Sequence, residues 1–344
     1  MLLVLILAGG IYGLGAFMGA PKAQCWTMIG VLFAAVIGVL FLFPEGHGLR
    51  TAFGGTPAPY LLIVGFAGLF LLYRFGLNTL RKRIQIKDVR PEPKGTFSAT
   101  ELERYARHIV LREIGGTGQK KLENAKILIV GAGGLGAPAL QYLAAAGVGT
   151  IGVIDDDMVE NANLQRQVIH RDEDIGTPKV FSAQRTMLAQ NPYVDVRPYH
   201  RCLTDEIASD LFADYDVILD GTDNFETRYL INRIAVAQGK PLISGALSQW
   251  EGQLSVFDPT NDAPCYQCIF PSAPSAELAP SCAEAGVVGP LPGVIGAMMA
   301  QEAIKLITSA GTVLRGEMLI YDGLYGETRK MRLKPRADCS ICGG

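Results

Sequence analysis

Hydrophobic positions are distributed in two different ways along this chain. Up to residue 73 they run on with few breaks, over 2–20, 25–43 and 59–73, with the third run extending to about residue 77. Lys22, Glu45 and Arg50 are the charged side chains in that stretch. A helix needs roughly 20 residues to cross the core of a bilayer, so the pattern predicts membrane helices over about 2–20, 25–43 and 59–77. Three spans is one reading; two spans, with the first run lying in the interface, is the other. The first run has no basic start and no obvious small-x-small cleavage site ahead of a polar domain, which argues against a signal peptide. After Arg74 the composition becomes that of an ordinary soluble domain. Short apolar runs that end in Gly or Asp alternate with helix-period segments, as in a parallel-sheet α/β domain.

Charge refines this division. Arg81-Lys82-Arg83, Lys87 and Arg90 follow the third run, and basic residues flanking membrane helices stay on the cytoplasmic side. The chain therefore reads as a membrane segment over 1–80, a basic linker over 81–96 carrying Pro91-Glu-Pro-Lys-Gly95, and a soluble domain over 97–344 at the cytoplasmic face of the cytoplasmic membrane. A net charge of -2 offers no basic field for nucleic acid as the main partner.

Within the soluble part, Thr100 and Glu103 predict a capping box at the head of an amphipathic helix carrying Arg104 and Arg107. Strands are expected over 126–130, 151–155, 194–199, 216–220, 241–244 and 252–257, and near 317–321 and 327–333. Helices are expected from Pro178 to about Gln190, with Thr177 as N-cap, and over 205–213, 226–238 and 294–307. The Pro-, Ala- and Ser-rich stretch 271–292 predicts a long irregular loop, and such loops are usually functional. The fold class is α/β: a Rossmann-like mixed sheet with helices on both faces, preceded by two or three transmembrane helices.

The chemistry starts at the first of those strands. Lys126-Ile-Leu-Ile-Val130 runs into Gly131-Ala-Gly133-Gly134-Leu-Gly136 and a helix. Such glycines let the backbone approach a phosphate, and the helix N-terminus supplies N–H groups. Asp155, ending the second strand, suits a ribose. A dinucleotide enzyme needs no more than that, which leaves an NAD(P)-dependent oxidoreductase as one reading. Asn163, Arg166, Lys179 and Asp223 together suit a triphosphate with Mg²⁺ bound at Asp223, and therefore an ATP site. Asn224 follows Asp223 directly. Cys265-x-x-Cys268 and Cys339-x-x-Cys342 form a Cys₄ set with the ligand count of a structural Zn²⁺. Cys25 and Cys202 read as packing residues. Cys282, in the irregular loop, reads as a thiol that could attack an activated acyl group.

Several of these motifs, in order, resemble the MoeB/ThiF family of sulfur-carrier-protein adenylyltransferases, relatives of the ubiquitin-activating enzymes. They are Arg104-Tyr-Ala-Arg107, the glycine turn, Asp155-x-Asp157, Asn163-Leu-Gln-Arg-Gln167, Lys179, Asp220-Gly-Thr-Asp-Asn224, Glu251-Gly-Gln253 and the two Cys pairs. The resemblance spans about 97–344, and the membrane segment departs from it. It implies ATP-dependent adenylation of the C-terminal glycine of a ubiquitin-like sulfur carrier ending in Gly-Gly. The small subunit of molybdopterin synthase is the leading carrier, with thiamine or tRNA-thiolation carriers as alternatives. It implies phosphate contacts from Gly134, Asn163, Arg166 and Lys179, Asp155 on the ribose, Mg²⁺ on Asp223 and Asn224 beside the nucleotide. Arg107 would reach into a neighbouring subunit of a homodimer. Cys282 matches a cysteine that some members use covalently, and a separate protein would donate the sulfur. A membrane scaffold without activity is the non-enzymatic alternative.

Overall fold

A computed structural model of the chain describes residues 2–18, 21–84, 97–274 and 285–343. It divides into two compact units, Met1–Gly95 and Thr96–Gly344.

Among the described residues the first unit holds four helices: α1 (Leu2–Phe17), α2 (Lys22–Leu42), α3 (Gly48–Ala52) and α4 (Ala58–Ile84). Val4, Val36, Leu40 and Tyr60 form a small buried cluster. Most of the remaining large apolar side chains described on these helices are exposed, Val31, Phe41, Leu62 and Phe66 among them. One helix among the described residues is long and apolar enough to cross a membrane: Gln24–Leu42, 19 residues with a mean hydropathy of 2.5. At a rise of about 1.5 Å per residue it is about 28 Å long, close to a bilayer core. The expectation of two or three such helices is corrected to one. The other two apolar runs are the shorter helices Leu3–Phe17 and Ala58–Arg74. The first run ends early because α1 stops at Phe17 and a new helix starts after Pro21. The third becomes polar where α4 continues through Asn78, Arg81, Lys82 and Arg83.

The second unit is built on one eight-stranded sheet. Its strands are β1 (Lys126–Val130), β2 (Thr150–Ile154), β3 (Asp195–Tyr199), β4 (Val217–Asp220), β5 (Leu242–Leu247), β6 (Glu251–Phe257), β7 (Glu317–Asp322) and β8 (Glu327–Arg332). They lie in the order β3-β2-β1-β4-β5-β6-β7-β8. The first five are parallel and the last three pairings antiparallel. Strand β1 shows why its sequence is apolar at every position but the first. Ile127 and Ile129 enter one core with α7 (Gly136–Ala146), α8 (Lys179–Gln190) and α12 (Pro290–Thr308). Leu128 and Val130 enter the opposite core with α9 (Asp205–Ala213) and α10 (Phe225–Ala237). A strand covered on both faces has no solvent side to make polar.

Four local expectations change. The first helix of this unit, α5 (Ala99–Ile109), which α6 (Gly115–Asn124) follows, is capped by Ser98 and not Thr100: Ser98 Oγ accepts from the Glu101 N–H at 3.3 Å, and Glu101 accepts from the Ser98 N–H at 2.9 Å. The capping box therefore sits two residues earlier. Pro178, not Thr177, is the N-cap of α8 and offers no side-chain cap. Thr177 is instead tied through its backbone, its carbonyl accepting from the Val159 N–H at 2.8 Å. Finally, α12 begins at Pro290 inside the expected irregular loop, because prolines suit a first helical turn whose N–H groups lack intrahelical partners. Cys202 is exposed, contrary to the packing role expected of it, whereas Cys25 is buried.

Candidate active site

Strand order places the site. Chain connections leave β1 towards β2 on one side and reach β4 on the other, so a cleft opens where these strands end. A cleft of about 760 Å³ lies there, lined by the turns after β1, β2 and β4. That volume suits a small-molecule ligand.

The glycine turn forms its floor. Gly131 has φ +96°, a left-handed conformation, and its N–H donates to the Ile154 carbonyl at 2.9 Å. Gly136 opens α7 so close to the turn that a Cβ there would collide with the Gly131 carbonyl oxygen. Gly133 and Gly134 line the cleft. The turn is tied to β2 by Asp155, whose carboxylate accepts from the Ala132 N–H at 2.7 Å and the Asp157 N–H at 2.8 Å. Burial pushes the Asp155 pKa up, and Lys179 together with those two N–H donors opposes the rise. On its other side the turn meets His170, whose Nε2 donates to the Ala132 carbonyl at 3.0 Å. His170 Nδ1 lies 2.9 Å from Ser182 Oγ, and Ser182 Oγ lies 2.6 Å from Asp174.

Four cationic residues line the cleft: Arg166, Lys179, Arg201 and Arg228. Arg166 donates to Asn163 Oδ1 at 3.1 Å and to the Ala162 carbonyl at 3.2 Å. Lys179, the first residue of α8, is 5% exposed and pairs with Asp157 at 2.6 Å. A cation at a helix N-terminus opposes the helix dipole, and Asp157 is the anion that offsets it here. Asp223 is exposed and lines the same cleft. Asn224 also lines the cleft but uses its side chain as the N-cap of α10, accepting from the Thr227 N–H at 2.8 Å.

The turn that presents Asp223 and Asn224 is braced by a buried ion pair the sequence reading missed. Arg228 and Asp220 are 5% and 1% exposed. Arg228 donates to Asp220 at 3.1 Å, to Ser244 Oγ at 3.1 Å and to the Gly245 carbonyl at 2.8 Å, and also to the Thr222 carbonyl. The signal available in sequence was Asp220 itself, an acid ending a buried strand and therefore in need of a partner.

Gly131, Gly133, Gly134, Asp155, Arg166, Lys179, Asp223 and Asn224 are thus brought together at one cleft. Asn163 and Gly136 stand behind it, the first holding Arg166 and the second closing the turn. Arg107 is exposed on α5 and does not line the cleft. Cys282 lies outside the described residues.

A second cluster joins distant segments. Cys265 and Cys268, at the short helix α11 (Tyr266–Ile269), meet Cys339 and Cys342 of the C-terminal tail, with all four sulfurs within 4.8 Å of one another. Sγ separations are 3.9 Å for Cys265–Cys268, 3.6 Å for Cys265–Cys339 and 3.3 Å for Cys268–Cys342. Zn–S bonds of about 2.3 Å in a tetrahedron put sulfurs about 3.8 Å apart, so the donor set fits a metal ion of that kind.

Comparison with known proteins agrees with this geometry. The ThiF family model matches residues 105–341. The chain is 48% identical over 251 residues to a sulfur carrier protein adenylyltransferase of Thermus thermophilus, covering 72% of this chain and 93% of the relative. It is 45% identical over 248 residues to the SAMP-activating enzyme E1 of Haloferax volcanii, covering 72% and 91%. Among solved structures it is similar to E. coli MccB with ATP, with a TM-score of 0.61 and 25% identity over 70% of this chain and 75% of that one.

Proposed function

The chain belongs to the ThiF family, and from that premise we propose that it uses ATP to adenylate the C-terminal glycine of a ubiquitin-like sulfur carrier protein. The observation that carries this reading is the single cleft holding the glycine turn, Asp155, Arg166, Lys179 and Asp223. An oxidoreductase would account for the turn and for Asp155 but not for Arg166, Lys179 and Asp223 in the same cleft.

In this reading the carrier's terminal carboxylate attacks the α-phosphorus of ATP. A carboxyl O–P bond forms, the bond to the β-phosphate bridge breaks, and pyrophosphate leaves with those electrons. An anion attacking a polyphosphate meets like-charge repulsion, and Arg166 and Lys179 reduce it. Asp155 holds the ribose. Asp223 would bind Mg²⁺, which supplies charge neutralisation on the phosphates when bound. The four cysteines would hold a structural Zn²⁺ that ties the tail to the domain. The motif match of Arg107 and its exposure on α5 support a role in a neighbouring subunit of a homodimer. The small subunit of molybdopterin synthase is the leading carrier, and the sulfur would come from a separate protein.

We also propose that the helix Gln24–Leu42 anchors the enzyme in the cytoplasmic membrane, with Arg81-Lys82-Arg83 on the cytoplasmic side. Its length, its hydropathy and the exposed apolar side chains of the first unit support this. An anchored chain stays with membranes through a high-salt wash and is released by detergent; release by salt alone overturns the anchor.

The decisive experiment is ATP–pyrophosphate exchange with candidate carriers. Exchange that requires a carrier ending in Gly-Gly supports adenylation. NADH turnover with no exchange overturns it.

A further inference from the structure

Asn232 is fully buried on α10, one helical turn after Arg228, and the two ends of its amide differ. Oδ1 accepts from the Tyr266 N–H at 2.9 Å. Nδ2 makes no hydrogen bond among the described residues. Turning the amide round would not repair this, because the Tyr266 N–H needs an acceptor and the amide nitrogen is only a donor. A buried donor without a partner is costly, and folded proteins seldom keep one unless something else satisfies it.

The acceptor is next to Tyr266 in the chain. Cys265 is 0% exposed. Burial pushes its thiol up, and Cys342, the Cys268 backbone and the Asn232 side chain oppose the rise. The unpaired amide is therefore close enough to this sulfur to favour its charged form. A thiol is a weak acceptor, whereas a sulfur bound to a metal ion carries negative charge and is a good one.

The Cys₄ set makes that charge matter. Four thiolates around one divalent ion leave a net negative charge in a largely buried place, and contacts behind the ligands hold such a site together. Cys268 has one, from the Arg336 N–H at 3.4 Å. Cys265 is closed to water, so its donors must come from the chain. We propose that Asn232 is a positioning residue of the Cys₄ centre, donating a hydrogen bond from Nδ2 to the Cys265 sulfur when that sulfur holds a metal ion. The contact would tie the centre to α10, the helix whose Arg228 braces the turn that presents Asp223. The proposal rests on the metal site proposed above, and on neither ATP nor the carrier.

Two variants separate the ends of the amide. Asn232→Asp keeps an acceptor for the Tyr266 N–H and loses the donor; Asn232→Leu loses both. A hydrogen bond to a metal-bound thiolate also lowers the energy of the sulfur electrons. Its loss should move the sulfur-to-metal charge-transfer band of a Co²⁺-loaded protein to lower energy, which a change in packing would not do.

The test loads the full chain and both variants with Zn²⁺ and, separately, with Co²⁺. Zinc affinity is read by competition with a chromophoric chelator, and the charge-transfer band from the absorption spectrum. Removing a partner behind a metal ligand weakens metal affinity by about ten- to a hundredfold. Both variants should lose zinc affinity by that factor, and their Co²⁺ bands should lie at lower energy than the parent's. Each variant is read independently, so one that folds is enough to decide. Parental zinc affinity in Asn232→Asp overturns the proposal, since the acceptor alone then suffices. A weakened affinity with an unmoved band also overturns it, because the amide then acts by packing. A parent chain that takes up neither ion overturns the metal site and the proposal with it. One that binds metal but catalyses no exchange overturns only the adenylation reading.

Discussion

Lys179 Nζ lies 2.6 Å from the Asp157 carboxylate, with the lysine side chain 6% and the aspartate 68% exposed. The cation is thus shielded on the protein side while its counter-ion stands in solvent. A phosphate bound in the cleft as proposed would meet a lysine that already has a partner but can exchange it at little desolvation cost to the aspartate.

Asp157→Asn tests that exchange. Removing the carboxylate leaves a buried ammonium uncompensated, but the pair is half in water, so the loss should be about 1 kcal/mol. ATP should then raise the melting temperature of the variant more than that of the parent, because the phosphates replace a missing partner. Melting curves with and without ATP measure both effects.

Lys179→Ala and Asp223→Ala should each lower carrier-dependent exchange by at least about a hundredfold. Lys179→Ala should act mainly on nucleotide affinity, and Asp223→Ala on the Mg²⁺ dependence. Exchange rates over a Mg²⁺ titration separate the two. Retention of normal exchange by both variants would remove these residues from the mechanism.

Arg228→Met should cost about 3–5 kcal/mol, the range found when one partner of a buried ion pair is removed. The reason is Asp220, which is 1% exposed and would be left buried without the cation it pairs with. Adding Asp220→Asn should recover part of the loss. Urea denaturation of Arg228→Met, Asp220→Asn and the double variant gives the coupling directly.

Burial holds the His170 imidazole below its ordinary pKa of 6.5, with Lys179 adding to the drop and Asp155 and Asp174 opposing it. On acidification the unfolded chain therefore takes up this proton before the folded one. The contribution of His170 to stability is present above pH 6.5 and declines as the pH falls from there towards the lowered folded value. His170→Gln retains a side-chain N–H donor for the Ala132 carbonyl and has nothing to titrate, so its stability should fall less between pH 7.5 and 5.5. Denaturation series at several pH values show whether the two slopes differ.

Chelation of the metal proposed for the Cys₄ set, or Cys339→Ser, should free the tail. Trypsin should then cut after Arg336 well before it attacks the sheet, as read by mass spectrometry of the fragments. Equal cleavage rates with and without chelator would show that the tail is held by other contacts.

Much of the nucleotide-binding half was legible because its constraints are local. The apolar run Lys126–Val130 followed by closely spaced glycines has few physical solutions, and Gly131 at φ +96° is one that side-chain-bearing residues rarely adopt. The Cys spacing was legible for the same reason, since the residue types and short intervals define a ligand set. Helix ends were less so. Ser98 and Thr100 are both good caps, each followed three residues later by a glutamate, and only the path of the chain into α5 chooses between them. Membrane spans were overcounted because apolar composition sets a maximum, whereas breaks such as Pro21 decide where each helix ends.

The sequence alone determined the class of the sheet, the position of the phosphate turn and the residue types available to a nucleotide, since backbone sterics and hydrophobic periodicity act over a few residues. Tertiary structure decided which charges meet. Lys179 finds Asp157 twenty-two positions away, Arg228 closes on Asp220 and on the next strand through Ser244, and the Gln167 amide lies against the glycine turn, its Oε1 without a hydrogen-bond partner among the described residues. Such pairings depend on which chain segments the sheet order makes neighbours, and that order comes from packing two cores at once, which no local pattern contains.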